Sequence, residues 1–378
     1  MKISSLQENL AKGLSVVGRA VPVRSTLPQA SHVLLASDQA RLKLVATDLT
    51  IAISCWIGAQ VEEDGGITVP ARLLTDFVAS LPNGRIELVA GERGRQLRIT
   101  CARNEATVAG GDPSDFPPVP SISDGFSLRL DPREFKRAIS QVEFAAAADD
   151  TRPVLTGIHT LVEDSTLTLA AADGFRLGVY KLALTQDVPE RTEVVIPARA
   201  LREVLRLLGE EDEPLEMAFN AARSQVLFRM KTAELVATLI QGTFPNYSQL
   251  IPQSYTTKAT LEMKQFLQET RIASIFARDG AGIVRLQMEP GEDKGPGRMT
   301  ISARAEEIGE HRGEMDVAVE GEAAKIAFNS KYLQDVLQVL ETEQVVLETT
   351  SPSSPGVIRP VDKNGNYVHV VMPMFVQW

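Results

Sequence analysis

Two cysteines, four histidines and 5% aromatic residues among 378 positions leave little material for several kinds of chemistry. Cys55 and Cys101 are too few for a disulfide framework and lie in apolar, strand-like settings, so they read as unpaired buried thiols of a reducing compartment. His32, His159, His311 and His369 stand singly without metal-ligand spacing, so no zinc site follows from them. No apolar run reaches the roughly 18 residues a membrane helix needs. The start, MKISSLQENL, lacks the apolar stretch of a secretion signal, and the expected location is cytoplasmic, with no membrane partner. The phosphate-cradling G-x-x-x-x-G-K-[ST], a strand-linked G-x-G-x-x-G and G-x-S-x-G are all missing. No cofactor, metal or catalytic residue is expected.

Positive charge is also short: 39 Lys and Arg against 49 Asp and Glu give a formal charge of −10. A protein of that balance does not hold nucleic acid by bulk electrostatics, so any such role must rest on local basic surface or on topology.

What the chain does have is a repeat. ITVPARLLTDFVASLP, VVIPARALREVLRLLG and KIAFNSKYLQDVLQVLE each run from a β-like stretch into a helix start. Apolar residues then follow at i, i+3, i+4 and i+7: Leu74, Phe77, Val78 and Leu81; Leu201, Val204, Leu205 and Leu208; Leu333, Val336, Leu337 and Leu340. Pro70 and Pro197 read as first-turn prolines, and Asn329-Ser330 offers side-chain caps at the matching place. The spacing, 127 and then 132 residues, is that of a small domain, so three similar domains are expected.

A second helix type shares the period. Residues 1–17 place Ile3, Leu6, Leu10, Leu14 and Val17 on one face; Asp131-Pro132-Arg133-Glu134 resembles a capping box before Phe135, Ala138, Ile139 and Val142; the third copy, 261–276, is less regular. Strand-rich stretches lie at 41–56, 166–184 and 223–241. GDPSDFPPVPSISD and GTFPNYSQLIPQ, both with a Phe-Pro step, mark boundaries, giving domains 1–121, 122–254 and 255–378. GEDKGPG at 291–297 reads as a hairpin tip. In AADGFRLGVY, residues 171–180, Asp173-Gly174 reads as a tight turn between strands, with Phe175, Leu177 and Val179 on one face and Arg176 on the other.

ATDL in the first copy, AADGFRL in the second, FPNY at the second boundary and VVMPM near the end together resemble the bacterial DNA polymerase III beta subunits, the sliding clamps, over the whole chain. The resemblance implies an α+β fold of three tandem clamp domains, each of two β-α-β-β-β halves. Two chains would join head to tail as a six-domain ring that encircles double-stranded DNA, slides without reading sequence and confers processivity. It implies no catalysis on this chain. The implied partners are the polymerase III alpha subunit, the delta subunit of an ATP-using clamp loader, and other replication and repair proteins with a clamp-binding peptide.

Three sets of residues follow from the resemblance. Arg24 and Arg152 match DNA-facing positions; the helix faces carrying Arg133, Lys136 and Arg137, and Arg199, Arg202 and Arg206, together with Lys12 and Arg19, would line the hole and touch phosphates. A peptide pocket would comprise Leu155, Gly174, Phe175, Arg176, Leu177, Pro245, Gln249, Leu250, Val370, Met372, Pro373 and Met374, an apolar floor that adapts to related peptides. The dimer contact would join Ala106 and Val108 to Ile275 and Phe276. Phe175 stands where the family often has histidine, and Gln249 where arginine is common in some members. The chain also runs on as Phe375-Val376-Gln377-Trp378, and Trp378 is placed to cover or extend the pocket.

Two other classes remain open at this level: an enzyme using Asp48 and Asp173 as paired acids, and a repeat-built binding protein without a ring. Against the enzyme, both acids sit at strand turns where Asp is favoured for local backbone hydrogen bonds.

Overall fold

In the computed structural model the described residues are 1–378 apart from 25–26, 92–94, 123, 187, 189, 210–211, 278–281, 293–294, 306, 308 and 362–364. Among these residues six α-helices form: α1 Gln7–Val17, α2 Ala71–Ser80, α3 Pro132–Val142, α4 Ala198–Leu208, α5 Met263–Ala277 and α6 Ser330–Val339. The apolar stripes read from the sequence become their core faces. Phe135, Ala138, Ile139 and Val142 of α3, Leu201 and Val204 of α4, and Leu333, Val336 and Leu337 of α6 are fully buried.

Helix starts follow the chemistry of the capping residues, with corrections. The Asn329 side chain accepts the Lys331 amide at 2.9 Å, and Asp131 accepts that of Arg133 at 2.9 Å. Pro70 and Pro197 end the strands Gly66–Pro70 and Thr192–Pro197 and so immediately precede α2 and α4, one step before the first turn. The helix expected over residues 1–17 begins only at Gln7. Lys2–Leu6 is a strand, paired on one side with Arg85–Ala90 and on the other with Gln60–Glu63. Two ladders of backbone hydrogen bonds and full burial of Ile3 outweigh a helical periodicity that a short stretch can satisfy by chance.

The strands form three antiparallel sheets. Five run in the order Gln60–Glu63, Lys2–Leu6, Arg85–Ala90, Gln96–Cys101, Asn104–Ala109. Eight run Phe126–Leu130, Leu215–Phe219, Gln225–Arg229, Ala233–Thr238, Ile51–Gly58, Arg41–Thr47, His32–Asp38, Gly66–Pro70. Twelve run Thr192–Pro197, Gly157–Glu163, Thr166–Ala172, Arg176–Ala183, Tyr367–Val371, Gly356–Pro360, Gln344–Thr349, Thr257–Glu262, Gly309–Gly321, Gly297–Ala305, Ile283–Glu289, Ala324–Asn329. The segment 291–297 joins a hairpin pair, Glu289 facing Arg298, as expected; its residues 293–294 lie outside the described ones.

Two of these sheets are each sewn from distant parts of the chain. Leu235 faces Ile53 where Ala233–Thr238 meets Ile51–Gly58, and Leu177 faces Val370 where Arg176–Ala183 meets Tyr367–Val371. Each junction gives an edge strand the partner it would otherwise lack. The chain accordingly packs as two compact units, one of residues 1–133 and 199–239 and one of 134–198 and 240–378, so the middle third of the sequence contributes to both.

Candidate functional site

The site is built on the turn between Thr166–Ala172 and Arg176–Ala183. One Asp173 carboxylate oxygen accepts the amides of Phe175 at 2.9 Å and Arg176 at 3.1 Å, closing the turn with a side chain. Gly174 takes φ +95°, and a Cβ there would stand 2.9 Å from the Arg152 guanidinium, so glycine serves both the backbone and the close approach. Arg152 donates to the Asp173 carbonyl at 3.2 Å, which places this expected DNA-facing residue on the turn itself.

Arg176 and Phe175, both expected in the pocket, part company here: Arg176 lines the cleft beside Leu177 and Phe175 does not. Phe175 lies in the turn rather than on the strand's inner face; it is 58% exposed and stacks on Tyr332 of α6, ring centres 6.5 Å apart. The Arg176 side chain is only 8% exposed. It pairs with Asp173 at 3.0 Å and Asp335 at 2.6 Å, donates to the Phe144 carbonyl at 2.7 Å, and lies over the Phe144 and Tyr332 rings. The face opposite Leu177 and Val179 is covered by these residues, and a guanidinium is tolerated there because two carboxylates and a carbonyl satisfy it.

Leu177 and Val179 pack with Ala170, Val357 and Val370 on the inner face. Above them opens a cleft of about 400 Å³, lined by Ala172, Gly174, Arg176, Leu177, Gln249, Leu250, Pro252, Pro355, Val370 and Met372. Gly174, Arg176, Leu177, Gln249, Leu250, Val370 and Met372 were anticipated. Leu155 is instead buried with Val195 and Phe244, in a cluster that packs against Ala172. Phe175, Pro245, Pro373 and Met374 do not line the cleft. Ala172, Pro252 and Pro355 were missed. Ala172 faces Leu177 across the hairpin and Pro252 closes the same turn-rich segment as Leu250, so register and continuity could have found both; Pro355, in a serine-rich loop, carries no local signal.

The FPNY segment is held from below. Phe244 is buried against the His159 ring, and the Tyr247 hydroxyl meets His159 Nδ1 at 3.3 Å while His159 Nε2 meets Glu193 at 3.0 Å. Burial, together with the Glu193 charge, pushes the Tyr247 phenol up to about 12, so it remains a neutral hydroxyl. On the opposite wall, the Met372 amide donates to the Phe175 carbonyl at 2.8 Å. The next amide along the chain, that of Met374, donates to the Ala327 carbonyl at 2.7 Å, drawing the tail onto the strand Ala324–Asn329. Trp378 therefore does not cover this cleft; it lines a separate one.

The expected basic residues are mostly paired with acids. Arg199 bonds Asp48, Arg206 meets Glu203 at 2.7 Å, Arg133 meets Asp212 at 2.6 Å, and Arg137 meets Glu134 at 2.9 Å and Glu341 at 3.3 Å. Arg19 lies 3.7 Å from Glu203. Lys12 and Arg24 are exposed, and Lys136 and Arg202 half-buried. The pairs of Arg133 and Arg137 are exposed on both sides and contribute little to stability, so these arginines can trade partners at low cost, whereas Asp48 and Glu203 are buried carboxylates that Arg199 and Arg206 cover. Asp48 accepts the Thr50 and Ile51 amides, both at 2.9 Å, as Asp173 does in its own turn. The two proposed catalytic acids are thus repeat-related turn braces, and among the described residues no cluster of three or more His, Cys, Asp and Glu forms a metal site.

Of the expected dimer residues, Ala106 and Val108 lie on Asn104–Ala109, at the end of the five-stranded sheet, with Val108 turned into the core. Ile275 is 52% exposed near the end of α5, and the half-buried Phe276 stacks on His311 at 5.7 Å.

The chain matches three domains of one family, DNA polymerase III beta subunit: the N-terminal domain over residues 1–120, the central domain over 129–246 and the C-terminal domain over 248–375. It is 30% identical to the beta sliding clamp of Staphylococcus aureus over 351 residues, covering 90% of this chain and 91% of that one. Over 365 residues it is 30% identical to the beta sliding clamp of Staphylococcus epidermidis, covering 94% of each. The fold superposes on the DNA polymerase sliding clamp of Bacillus subtilis with a TM-score of 0.94 at 27% identity, all of both chains being covered. On a DNA polymerase III subunit beta from Pseudomonas aeruginosa the TM-score is 0.90 at 28% identity, again over the whole of both. A three-domain α+β fold, turn-bracing acids in place of catalytic ones and family matches across nearly the whole length converge: this chain belongs to the DNA polymerase III beta subunit family, the non-catalytic sliding clamps that make the polymerase processive.

Proposed function

We propose that two copies of this chain close head to tail around duplex DNA and that partner proteins dock a short apolar peptide in the cleft beside Leu177. One observation carries the ring. Strand Ala233–Thr238 seals the edge of Ile51–Gly58, and Tyr367–Val371 seals that of Arg176–Ala183. The third pair of equivalent strands has no such seal among the described residues: Asn104–Ala109 ends its sheet, and residues 309–317 pair on one side only, with Gly297–Ala305. A second copy supplies what each edge lacks, through a heterologous contact used twice. Ile275 and Phe276 flank that contact.

The domains of this reading are 1–121, 122–254 and 255–378. Arg24, Arg133, Lys136, Arg137, Arg152, Arg199, Arg202 and Arg206 meet phosphates, and the hold on DNA is topological rather than sequence-specific. Leu177, Leu250, Val370 and Met372 form an apolar floor suited to a peptide side chain, with the methionine adapting to differing partners. The alpha subunit of the polymerase and the delta subunit of an ATP-using loader compete for it, in the cytoplasm.

Retention on nicked circular DNA, loaded with clamp loader and ATP at moderate salt, tests the ring. Release on linearising the DNA is the expected result; equal retention on circle and linear form refutes topological binding.

A further inference from the structure

The last four residues, Phe375 to Trp378, take no part in the cleft, yet they are tied to the segment that forms one of its walls. Met372 is held at one side by its amide bond to the Phe175 carbonyl, and two residues on, Met374 is held by its bond to the Ala327 carbonyl. Beyond Met374 the chain follows the outer edge of Ala324–Asn329, the last strand of its sheet, against the direction of that strand. Phe375 is 86% exposed and anchors nothing. Trp378 is less exposed, at 46%, and lines a cleft of about 490 Å³ that also includes Gln287, Glu289, Lys325 and Thr350. The Lys325 ammonium lies 5.7 Å from the centre of its ring. Lys325 and Ala327 belong to the same strand, so the tail is fastened to one rigid element at both ends of the five-residue stretch from Met374 to Trp378.

We infer that Trp378, seated on Lys325, is a positioning residue for partner binding: it braces the tail and thereby holds the Met372 wall of the Leu177 cleft. This rests on the peptide-docking reading above. An extended segment with one backbone bond frays, because little offsets its conformational entropy. A ring held against the Lys325 cation restricts that freedom before the partner arrives. Without it, the partner must order the segment that carries Met372 on binding, and affinity falls although no contact with the partner has been removed.

The test measures binding of the purified cognate polymerase alpha subunit to the full-length clamp, to the chain lacking residues 376–378, and to Trp378→Ala, Trp378→Phe and Leu250→Glu. The truncation and Trp378→Ala are expected to bind roughly fivefold more weakly, from the ordering cost of one or two side chains, with Trp378→Phe close to the full chain because a ring is retained. A parallel readout uses a Trp56→Phe background, in which Trp378 is the remaining tryptophan: Lys325→Ala should raise its quenching by acrylamide in the free clamp, and equal quenching in the two refutes the seat on Lys325. Leu250→Glu separates the two levels. If it abolishes binding while the truncation and Trp378→Ala bind as the full chain does, the brace is refuted and the cleft reading stands. Unchanged binding by Leu250→Glu refutes the cleft reading and this inference together.

Discussion

His369 is fully buried, and burial, aided by the nearby Arg176 charge, pushes its imidazole down to about 3, from an ordinary value of 6.5. The ring is therefore neutral in the fold; Nδ1 meets the Tyr367 hydroxyl at 3.2 Å and Nε2 has no hydrogen-bond partner. Because the unfolded chain takes up a proton near pH 6.5 and the folded one does not until about pH 3, the unfolded state gains protons first as the solution is acidified. The resulting stability is complete above pH 6.5 and is lost progressively as pH falls toward 3. At pH 5 the loss amounts to about 2 kcal/mol relative to pH 8. Urea denaturation of the wild type and of His369→Leu across this window should show a shallower pH dependence in the variant. Arg176 teaches a related lesson at the same scale: alternation along the strand set it on the face opposite Leu177 and Val179, and only the residues that cover that face made it a buried ion pair.

Among the elements, α6 is the one whose beginning is most plainly written in local chemistry. Asn329 ends the strand Ala324–Asn329 with extended backbone and turns its side chain to the Lys331 amide, one of the helix's orphan donors. Asn329→Ala should lower stability by about 1 kcal/mol, read as a shift of the urea midpoint with unchanged slope. The helix itself should persist, since Leu333, Val336 and Leu337 remain buried. At the start of the chain the contrast is instructive: Ile3 and Leu6 fit a helical stripe as well as Leu10 and Leu14 do, but the backbone of residues 2–6 has two strands to pair with. Periodicity over five residues carries too little information to anticipate that.

For the whole molecule, the consequential features are unsealed edges. Ile275 is exposed on α5, so Ile275→Glu should leave each folded chain intact while removing apolar contact from the proposed ring closure. Sedimentation velocity should then report a monomer; a dimer of unchanged stability would show that the copies meet elsewhere. The net charge of −10 bears on the same scale. With most of the candidate DNA-facing arginines already paired to acids, non-specific affinity for linear DNA should be weak, consistent with retention by topology.

The sequence by itself determined the threefold repeat, the amphipathic helices and the turn acids Asp48 and Asp173, because each is a local pattern: a period, a cap, a side chain bonding to amides two or three residues on; most of the cleft followed only from the family resemblance that its motifs carry. Tertiary structure alone decided which strand edges meet, that Arg176 lies inside and Phe175 outside, that Pro355 joins the cleft, and that the tail runs along Ala324–Asn329 instead of over Leu177. Those outcomes depend on which distant segment has unpaired backbone groups or uncovered apolar surface to offer. No window of neighbouring residues contains that information, since the partner lies up to 195 residues away, as for Val371 against Arg176, and is selected by the geometry of the assembled sheet.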